Sequence, residues 1–204
     1  MDRINSTRVR LTEDDFNKIL NAVRFGAGSI SARSQQQKFK NRDMSIMLLF
    51  MTTGMRKTAL DEINVDDVDL CSRKLRIIDK GNKIHTYILN NQTIDALNSW
   101  IFDRNNILNG VKCDALFISK DLRRMHGNSI SKLVDKYAME GLGYHISPHK
   151  LRAGLASIMY EKTGNIEFTR KVIGHANITT TQRYIVTKNN ERAEASNIMQ
   201  NILK

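Results

Sequence analysis

The sequence predicts a mainly α-helical protein with a small antiparallel β-sheet, an α+β fold class, from three observations. Apolar residues recur at helical spacing, behind capping residues, along most of the 204-residue chain. Two β-branched segments, residues 75–78 and 84–89, flank the tight reversal Lys80-Gly81-Asn82-Lys83 and indicate one hairpin. The apolar content of 41% is sufficient for a buried core at this length.

The N-terminal third is expected to hold core helices joined by a loop. Thr12, with Asp15 three positions later, forms a capping box that opens an amphipathic helix ended by a glycine. Residues 26–41 are small, polar and basic, which predicts a surface loop. The apolar run at residues 43–51 is too short to cross a membrane and predicts a core helix, followed by a second helical stretch up to Ile63.

Beyond the hairpin the pattern is helical almost to the end. Residues 93–102 and 129–139 have helical periodicity, and a short apolar piece lies between them. Ser147-Pro148 is a strong start signal, because serine can cap free amides and proline has no N–H to leave unpaired. We expect a helix from His149.

The helix predicted from His149 places two polar residues on one face. His149 and Arg152 are three apart and share one helical face, which is expected to line a cleft while Leu155 faces the core. A further helix at residues 166–173 stops at a glycine, and a short turn capped by Asn177 follows.

Charge and cysteine content narrow the class of protein. Lys and Arg total 32 against 21 Asp and Glu, and the net charge of +11 favours a polyanionic partner, although a basic enzyme without such a partner would have the same composition. Cys71 and Cys113 lie in unrelated contexts, so neither a disulfide framework nor a zinc site is indicated. The polar start of the chain and the lack of a long apolar run predict a cytoplasmic protein without membrane association.

Several residues of the chain suit chemistry on a phosphodiester. Cleavage without metal requires a nucleophile, cations that hold the non-bridging oxygens and a donor for the leaving alkoxide. Arg56 and Arg152 can bind phosphate through paired hydrogen bonds, and His149 can assist the phenol of Tyr184. His175 can donate a hydrogen bond to the phosphate. Singly, each residue has a structural explanation, but together they favour catalysis.

Four blocks of the chain, in order, resemble the tyrosine recombinase family, also called phage-type integrases. TTGMRKTALDEINVDDVDL resembles the family's T-G-hydrophobic-R motif, and KLRIIDKGNKIHTYIL is similar to its hairpin. SPHKLRAGLAS matches the P-H-x-L-R box, and VIGHANITTTQRYI resembles the L-G-H, T-T and Tyr ending. The resemblance covers roughly residues 10 to 190.

The resemblance implies a mechanism that needs no metal, ATP or other cofactor. Tyr184 attacks a DNA phosphate and leaves a 3′-phosphotyrosine and a free 5′-hydroxyl. Lys80 is implied as the general acid, and Lys83 remains the alternative; Lys83 and Lys150 are also candidate DNA contacts. The implied catalytic set is Arg56, Lys80, His149, Arg152, His175 and Tyr184.

The resemblance also implies an organisation and partners. We expect an N-terminal segment at residues 1–10, a catalytic domain at 11–188 and a tail helix at 189–204. The tail either docks on a neighbouring protomer, as in a homo-tetramer on double-stranded DNA, or packs on its own domain. Accessory DNA-bending proteins are further implied partners. The catalytic pattern begins too close to Met1 for an N-terminal DNA-gripping domain, so we expect a fragment of a longer integrase or a short stand-alone member.

Two positions depart from the family's pattern and two other functions stay open. Ala153-Gly154 stands where the family often has His-Thr, and Ala59 stands where an acidic residue is common; both are expected to support the catalytic groups. A site-specific recombinase is the main hypothesis. A type IB topoisomerase-like relaxing enzyme and a non-catalytic DNA-binding relative are the alternatives, and retention of the catalytic residues counts against the latter.

Other residues of the same chemical types are expected to be structural. The acidic run at residues 66–69 is interpreted as a turn whose aspartates bind local amides rather than as a metal site. Four other tyrosines, Tyr87, Tyr137, Tyr144 and Tyr160, compete with Tyr184 as the nucleophile. Packing explains Tyr87 and Tyr160 better, and Tyr144, just before the P-H-x-L-R box, is a candidate DNA contact.

Overall fold

The computed structural model describes residues 10–79, 83–174 and 200. Within these residues the chain forms eight α-helices and a three-stranded antiparallel sheet, so the predicted fold class is confirmed. The elements are α1 Glu13–Phe25, α2 Ile30–Gln36, α3 Lys40–Thr53, α4 Lys57–Asp61, β1 Val68–Asp69, β2 Lys74–Asp79, β3 Lys83–Ile88, α5 Asn91–Leu108, α6 Gly127–Leu142, α7 Pro148–Thr163 and α8 Ile166–Ile173.

Helix α1 begins as its sequence predicts. The Thr12 side chain accepts a hydrogen bond from the backbone N–H of Asp15, and the Asp15 carboxylate accepts one from the backbone N–H of Thr12. Ile19 and Val23 are buried on the inner face, which packs against α3 and α6. The capping box and the apolar period therefore suffice to place this helix.

The surface loop predicted for residues 26–41 is wrong, because the segment forms α2, a short 3₁₀ turn at Gln37–Phe39 and the start of α3. Ser29 caps α2 by accepting a hydrogen bond from the backbone N–H of Ala32. Gln36 binds both backbone groups of Ala27 through its side-chain amide. The polar composition suggested a loop, but these side chains satisfy the backbone of a folded segment.

The hairpin is confirmed and belongs to a sheet of order β1-β2-β3. Leu75 pairs with Tyr87, and Ile77 pairs with His85; both leucine and isoleucine are buried. The ladder ends where Asp79 pairs with Lys83, so residues 80–82 connect the strands and lie outside the described residues.

The acidic run forms local structure, but it is not only a turn as the sequence suggested. A 3₁₀ turn at Val65–Asp67 leads into strand β1, which pairs with β2. Asp67 accepts the backbone N–H of Asn64 at 2.9 Å, and Asp69 accepts that of Ser72 at 2.9 Å. The prediction that these aspartates bind local amides is confirmed.

Helix α3 lies at the centre of the core. It contacts α1, α5 and α7, and Ile46, Met47, Leu49 and Phe50 on it are almost fully buried. An apolar helix that faces neighbours on several sides is typical of a core position, so that prediction is confirmed. No helix within the described residues combines the length and the apolar character needed to cross a lipid bilayer.

A buried polar network crosses the core beside α3. The Asp43 carboxylate, 1% exposed, receives two hydrogen bonds from Arg42 and one from the Tyr137 hydroxyl at 2.7 Å. Lys136 lies 3.6 Å from the same carboxylate and over the Tyr137 ring. Burial and the neighbouring Asp43 raise the pKa of Tyr137 well above its usual value. Tyr137 is therefore a structural tyrosine.

We expect Tyr137→Phe to lower the free energy of unfolding by about 1–3 kcal/mol, because it removes a hydrogen-bond donor from a buried carboxylate. Urea denaturation of both proteins measures the change. Tyr160→Phe is the matched control, since Tyr160 is only half-buried on α7, and we expect it to change stability by less than about 0.5 kcal/mol. Equal losses in the two variants would contradict a specific role for the Tyr137 hydroxyl.

Candidate active site

The structure describes three of the six predicted catalytic residues. Arg56 directly precedes α4, and His149 and Arg152 lie in the first turns of α7. The other three, Lys80, His175 and Tyr184, lie outside the described residues, as do Asn177 and the predicted tail helix except at position 200.

A left-handed glycine ends α3 and sets the direction of the chain towards Arg56. Gly54 has φ +62°, and its N–H donates to the Phe50 carbonyl at 3.1 Å. Thr53 closes the turn, because its hydroxyl donates to the Leu49 carbonyl at 2.6 Å and accepts the Met55 N–H at 3.2 Å. Arg56 follows in an extended conformation as the N-cap of α4, with an exposed side chain.

Helix α7 starts at Pro148, one residue earlier than predicted. Ser147 occupies the N-cap position, but the expected capping by its side chain is wrong: that side chain makes no capping hydrogen bond. Its carbonyl instead accepts the N–H groups of Lys150 at 2.8 Å and Leu151 at 3.3 Å. Proline at the first position fixes the helical geometry there.

Arg152 joins α7 to the turn after α3. Its side chain is only 4% exposed, and one of its terminal nitrogens donates a short hydrogen bond to the Gly54 carbonyl. A guanidinium remains charged when it is buried, so its placement requires polar partners of this kind. His149, one turn earlier, is exposed. The two predicted partners thus differ in burial, with the arginine inside and the histidine at the surface.

Close packing at Gly54 brings three helices together. A Cβ atom at this position would lie 3.0 Å from Leu155 Cδ2 on α7 and 3.3 Å from Ile173 Cγ2 on α8. Ile173 is the last residue of α8, two residues before His175. The Gly54 turn therefore organises Arg56 and Arg152 and lies beside the helix that leads to His175.

The residues just before α1 pack directly on α7, which the sequence did not predict. Arg10 donates to the Ser157 carbonyl at 3.2 Å and forms an ion pair with Glu161 at 3.1 Å. A Cβ on Gly154 would lie 2.9 Å from the Leu11 Cβ and 3.0 Å from the Phe16 ring.

This packing gives a physical reason for one departure from the family's pattern. Gly154 has no room for the threonine expected from that pattern, because Leu11 and Phe16 occupy the space. Ala59, the other departure, is buried, with 4% exposure, on the side of α4 that faces the core. An uncompensated carboxylate would be costly at this position.

The remaining candidates differ in how the chain places them. Lys83 is the first residue of β3 rather than part of the turn. Lys150 is half-buried on α7, and burial lowers its pKa below the usual range. Tyr87 and Tyr144 pack against the core with partly buried rings. The packing of Tyr87 fits the structural role expected for it, and Tyr144, the candidate DNA contact, is partly exposed.

Within residues 10–79 and 83–174, no three His, Cys, Asp or Glu side chains approach one another closely enough to hold a metal ion. Cys71 and Cys113 are both unpaired thiols.

The role of the Gly54 carbonyl as a partner of Arg152 was missed at the sequence level. The available signal was the glycine between an apolar helix end and Arg56, which indicates a left-handed turn. What the sequence does not carry is the identity of the side chain, 98 positions away, that meets this carbonyl.

Most of the chain is similar to proteins of one known family. The family model described as "Phage integrase family" matches residues 9–191. Tyrosine recombinase XerC of Alcanivorax borkumensis is 33% identical over 152 residues, which cover 74% of this chain and 50% of that protein. Tyrosine recombinase XerC of Caldanaerobacter subterraneus subsp. tengcongensis is 35% identical over 196 residues, covering 93% of this chain and 50% of that protein.

A solved structure shares the same fold. The XerH site-specific recombinase bound to palindromic difH substrate, in a post-cleavage complex, matches with a TM-score of 0.76 and 23% identity. The match covers 94% of this chain and 52% of the XerH chain. The chain spans about half the length of the two curated relatives.

Gly54→Ala tests whether the turn after α3 requires glycine for packing as well as for backbone conformation. We expect it to lower the free energy of unfolding by about 1–3 kcal/mol more than Gly164→Ala does. Gly164 is the matched control because it also has φ +62° at a helix end, but among the described residues no atom beyond its chain neighbours lies within 4 Å of its Cβ position. Chemical denaturation compares the two variants. Similar losses would mean that the left-handed backbone alone explains the glycine.

Proposed function

Because the chain belongs to the phage integrase family, we propose that it catalyses site-specific DNA recombination through a covalent 3′-phosphotyrosine intermediate. The observation that carries the proposal is the junction at Gly54. There a buried arginine from α7 is tied to the turn that ends in Arg56, as a clamp on one phosphate requires.

The two arginines have complementary roles in the proposed clamp. Both hold non-bridging oxygens of the scissile phosphate through charge-assisted hydrogen bonds. Arg152 acts from a site with little water, where its charge is screened weakly, and its position is already set by the protein. Arg56 is exposed and can follow the DNA as it enters.

The chemical step proceeds by attack of the Tyr184 phenolic oxygen on the phosphorus. The P–O5′ bond breaks, and the departing 5′-oxygen takes a proton from the Lys80 ammonium. The phenolic proton passes to His149, while His175 donates a hydrogen bond to a non-bridging oxygen. The phosphotyrosine keeps the bond energy, so attack by a 5′-hydroxyl of a partner strand rejoins the DNA without ATP or metal.

The proposed partners follow from the stoichiometry of strand exchange. Two duplexes have four strands to cut and rejoin, and each protomer supplies one Tyr184, which favours a homo-tetramer on double-stranded DNA. The net charge of +11 supports binding to the duplex. Residues 11–188 act as the catalytic domain, residues 189–204 as a docking tail, and accessory DNA-bending proteins assist in the cytoplasm.

Tyr184→Phe is expected to abolish the covalent protein–DNA adduct on a nicked suicide substrate in EDTA, because phenylalanine has no nucleophilic oxygen. Denaturing gel electrophoresis detects the adduct. Tyr160→Phe serves as the control and should retain it, whereas Arg152→Ala should reduce its rate of formation by about 10²-fold or more. An adduct with Tyr184→Phe would show that another nucleophile acts, and a requirement for magnesium would exclude the metal-free mechanism.

The choice between Lys80 and Lys83 as proton donor can be made with a substrate whose leaving 5′-oxygen is replaced by sulfur. Lys80→Ala is expected to slow cleavage of normal DNA by about 10²- to 10⁴-fold. It should have a far smaller effect on the sulfur substrate, because a thiolate leaves without a proton. Lys83→Ala is the control and should affect both substrates equally. The reverse pattern would assign proton donation to Lys83.

A further inference from the structure

A charged pair lies where helices α4 and α6 meet. Lys57 and Asp61 are one turn apart on α4, and both are half-buried. A Cβ atom on Gly127, the first residue of α6, would lie 2.6 Å from Lys57 Nζ and 2.9 Å from Asp61 Oδ2. The ammonium and the carboxylate therefore both reach the first turn of α6, and neither residue belongs to the catalytic set proposed above.

The Asp61 carboxylate supplies an anion that the start of α6 does not have in its own sequence. The N-cap residue His126 makes no side-chain capping hydrogen bond, and the first turn of α6 contains no acidic residue. The backbone N–H of Gly127 instead donates to the Asp61 carboxylate. The free N–H groups at a helix start carry a partial positive charge, so an anion beside them is stabilising. Asp61 thus caps α6 from another helix.

Helix α4 depends on contacts of this kind for its position. It has five residues, and a helix this short is not stable without packing. Ala59 and Leu60 are buried on its inner side. The Arg124 guanidinium donates to the backbone carbonyl of Asp61 at 3.0 Å. Arg124 therefore holds the last backbone group of the helix, and the Asp61 carboxylate ties the side of the helix to α6.

The position of α4 determines the position of Arg56. Arg56 is the N-cap residue of the helix, and its carbonyl accepts the N–H of Leu60 at 3.1 Å. On the other side of Arg56, Met55 is buried and Gly54 forms the turn that binds Arg152. A shift of α4 relative to α6 would therefore change the direction of the Arg56 side chain while the Gly54 turn stayed in place.

The carboxylate has a cost that packing alone does not explain. Burial raises the pKa of Asp61 above its usual value, although the Lys57 ammonium opposes this shift. The Asp61 Oδ1 atom is buried and accepts no hydrogen bond from the described part of the chain. Because a raised pKa means that the fold favours the protonated group, stability is lost as the carboxyl ionises with rising pH. Such a cost is characteristic of residues that serve a functional site.

We propose that Asp61 is a positioning residue for strand cleavage: its carboxylate anchors α4 to the start of α6 and so keeps Arg56 in the orientation that binds the scissile phosphate. The inference rests on the proposed function, because it assigns Asp61 an effect on the same reaction. Asp61 acts through the helix and through Arg56, and it does not itself contact the phosphate.

Asp61→Asn tests this role, because asparagine has nearly the same shape without the charge. The rate of covalent-adduct formation at saturating DNA should fall by roughly 10- to 10²-fold, since a displaced Arg56 stabilises the transition state poorly. The DNA concentration for half-saturation should hardly change, because one phosphate contact contributes little to binding of a long duplex. The free energy of unfolding should not fall. Glu62→Gln is the matched control, since Glu62 is the exposed neighbour of Asp61 and loses the same charge, and it should change none of these quantities.

Double variants show whether the effect passes through Arg56. In an Arg56→Lys protein the paired hydrogen bonds are already lost, so Asp61→Asn should slow cleavage far less than in the wild-type protein. In an Arg152→Lys protein the full slowing should persist, because Arg152 belongs to the Gly54 turn rather than to α4. Gly127→Ala is a second variant, since its methyl group would displace the ammonium and the carboxylate, and it should show the same pattern.

Three results would overturn the inference. These are a wild-type cleavage rate for Asp61→Asn, equal slowing by Asp61→Asn in the Arg56→Lys and Arg152→Lys proteins, and a loss of stability large enough to account for the slower reaction. Failure of the wild-type protein to form a covalent adduct is a different result, which would overturn the proposed function and, with it, this role of Asp61.

Discussion

One hydrogen bond, from the buried guanidinium of Arg152 to the Gly54 carbonyl, joins the two halves of the domain at the candidate site. Burial of a charged group is unfavourable without such a partner, so the position of α7 depends on the turn that ends α3. That turn requires a left-handed residue without a side chain, because Leu155 and Ile173 occupy the adjacent space. The glycine thus combines three requirements: backbone conformation, helix packing and presentation of a carbonyl to Arg152.

Local signals predicted the parts of the fold that depend on neighbouring residues in the sequence. The capping box at Thr12, the apolar period of α3 and the hairpin are of this kind, since their hydrogen bonds form within short stretches of chain. The segment at residues 26–41 was predicted wrongly because its order depends partly on α6, where Glu140 binds the backbone of Gly28 and the side chain of Arg33. No local pattern specifies such partners.

The candidate site shows the same division between local and distant information. Motif spacing selected Arg56, His149 and Arg152, and the structure ties Arg152 to the turn that precedes Arg56. A spacing of three residues places Arg152 and His149 on one helical face. It does not predict that Arg152 is buried and His149 exposed, because that difference depends on the helices packed around α7. The glycine at position 154 is explained in the same way only by distant packing, because Leu11 and Phe16 cover it.

The contacts of Arg10 have a mechanical consequence. This residue anchors the chain before α1 to the Ser157 carbonyl and Glu161, near the opposite end of the helix that bears His149 and Arg152. A pull on the chain at Arg10 is therefore shared between α1, through the backbone, and α7, through these contacts. Load on this contact would reach α7, the helix that bears Arg152, without crossing the rest of the core.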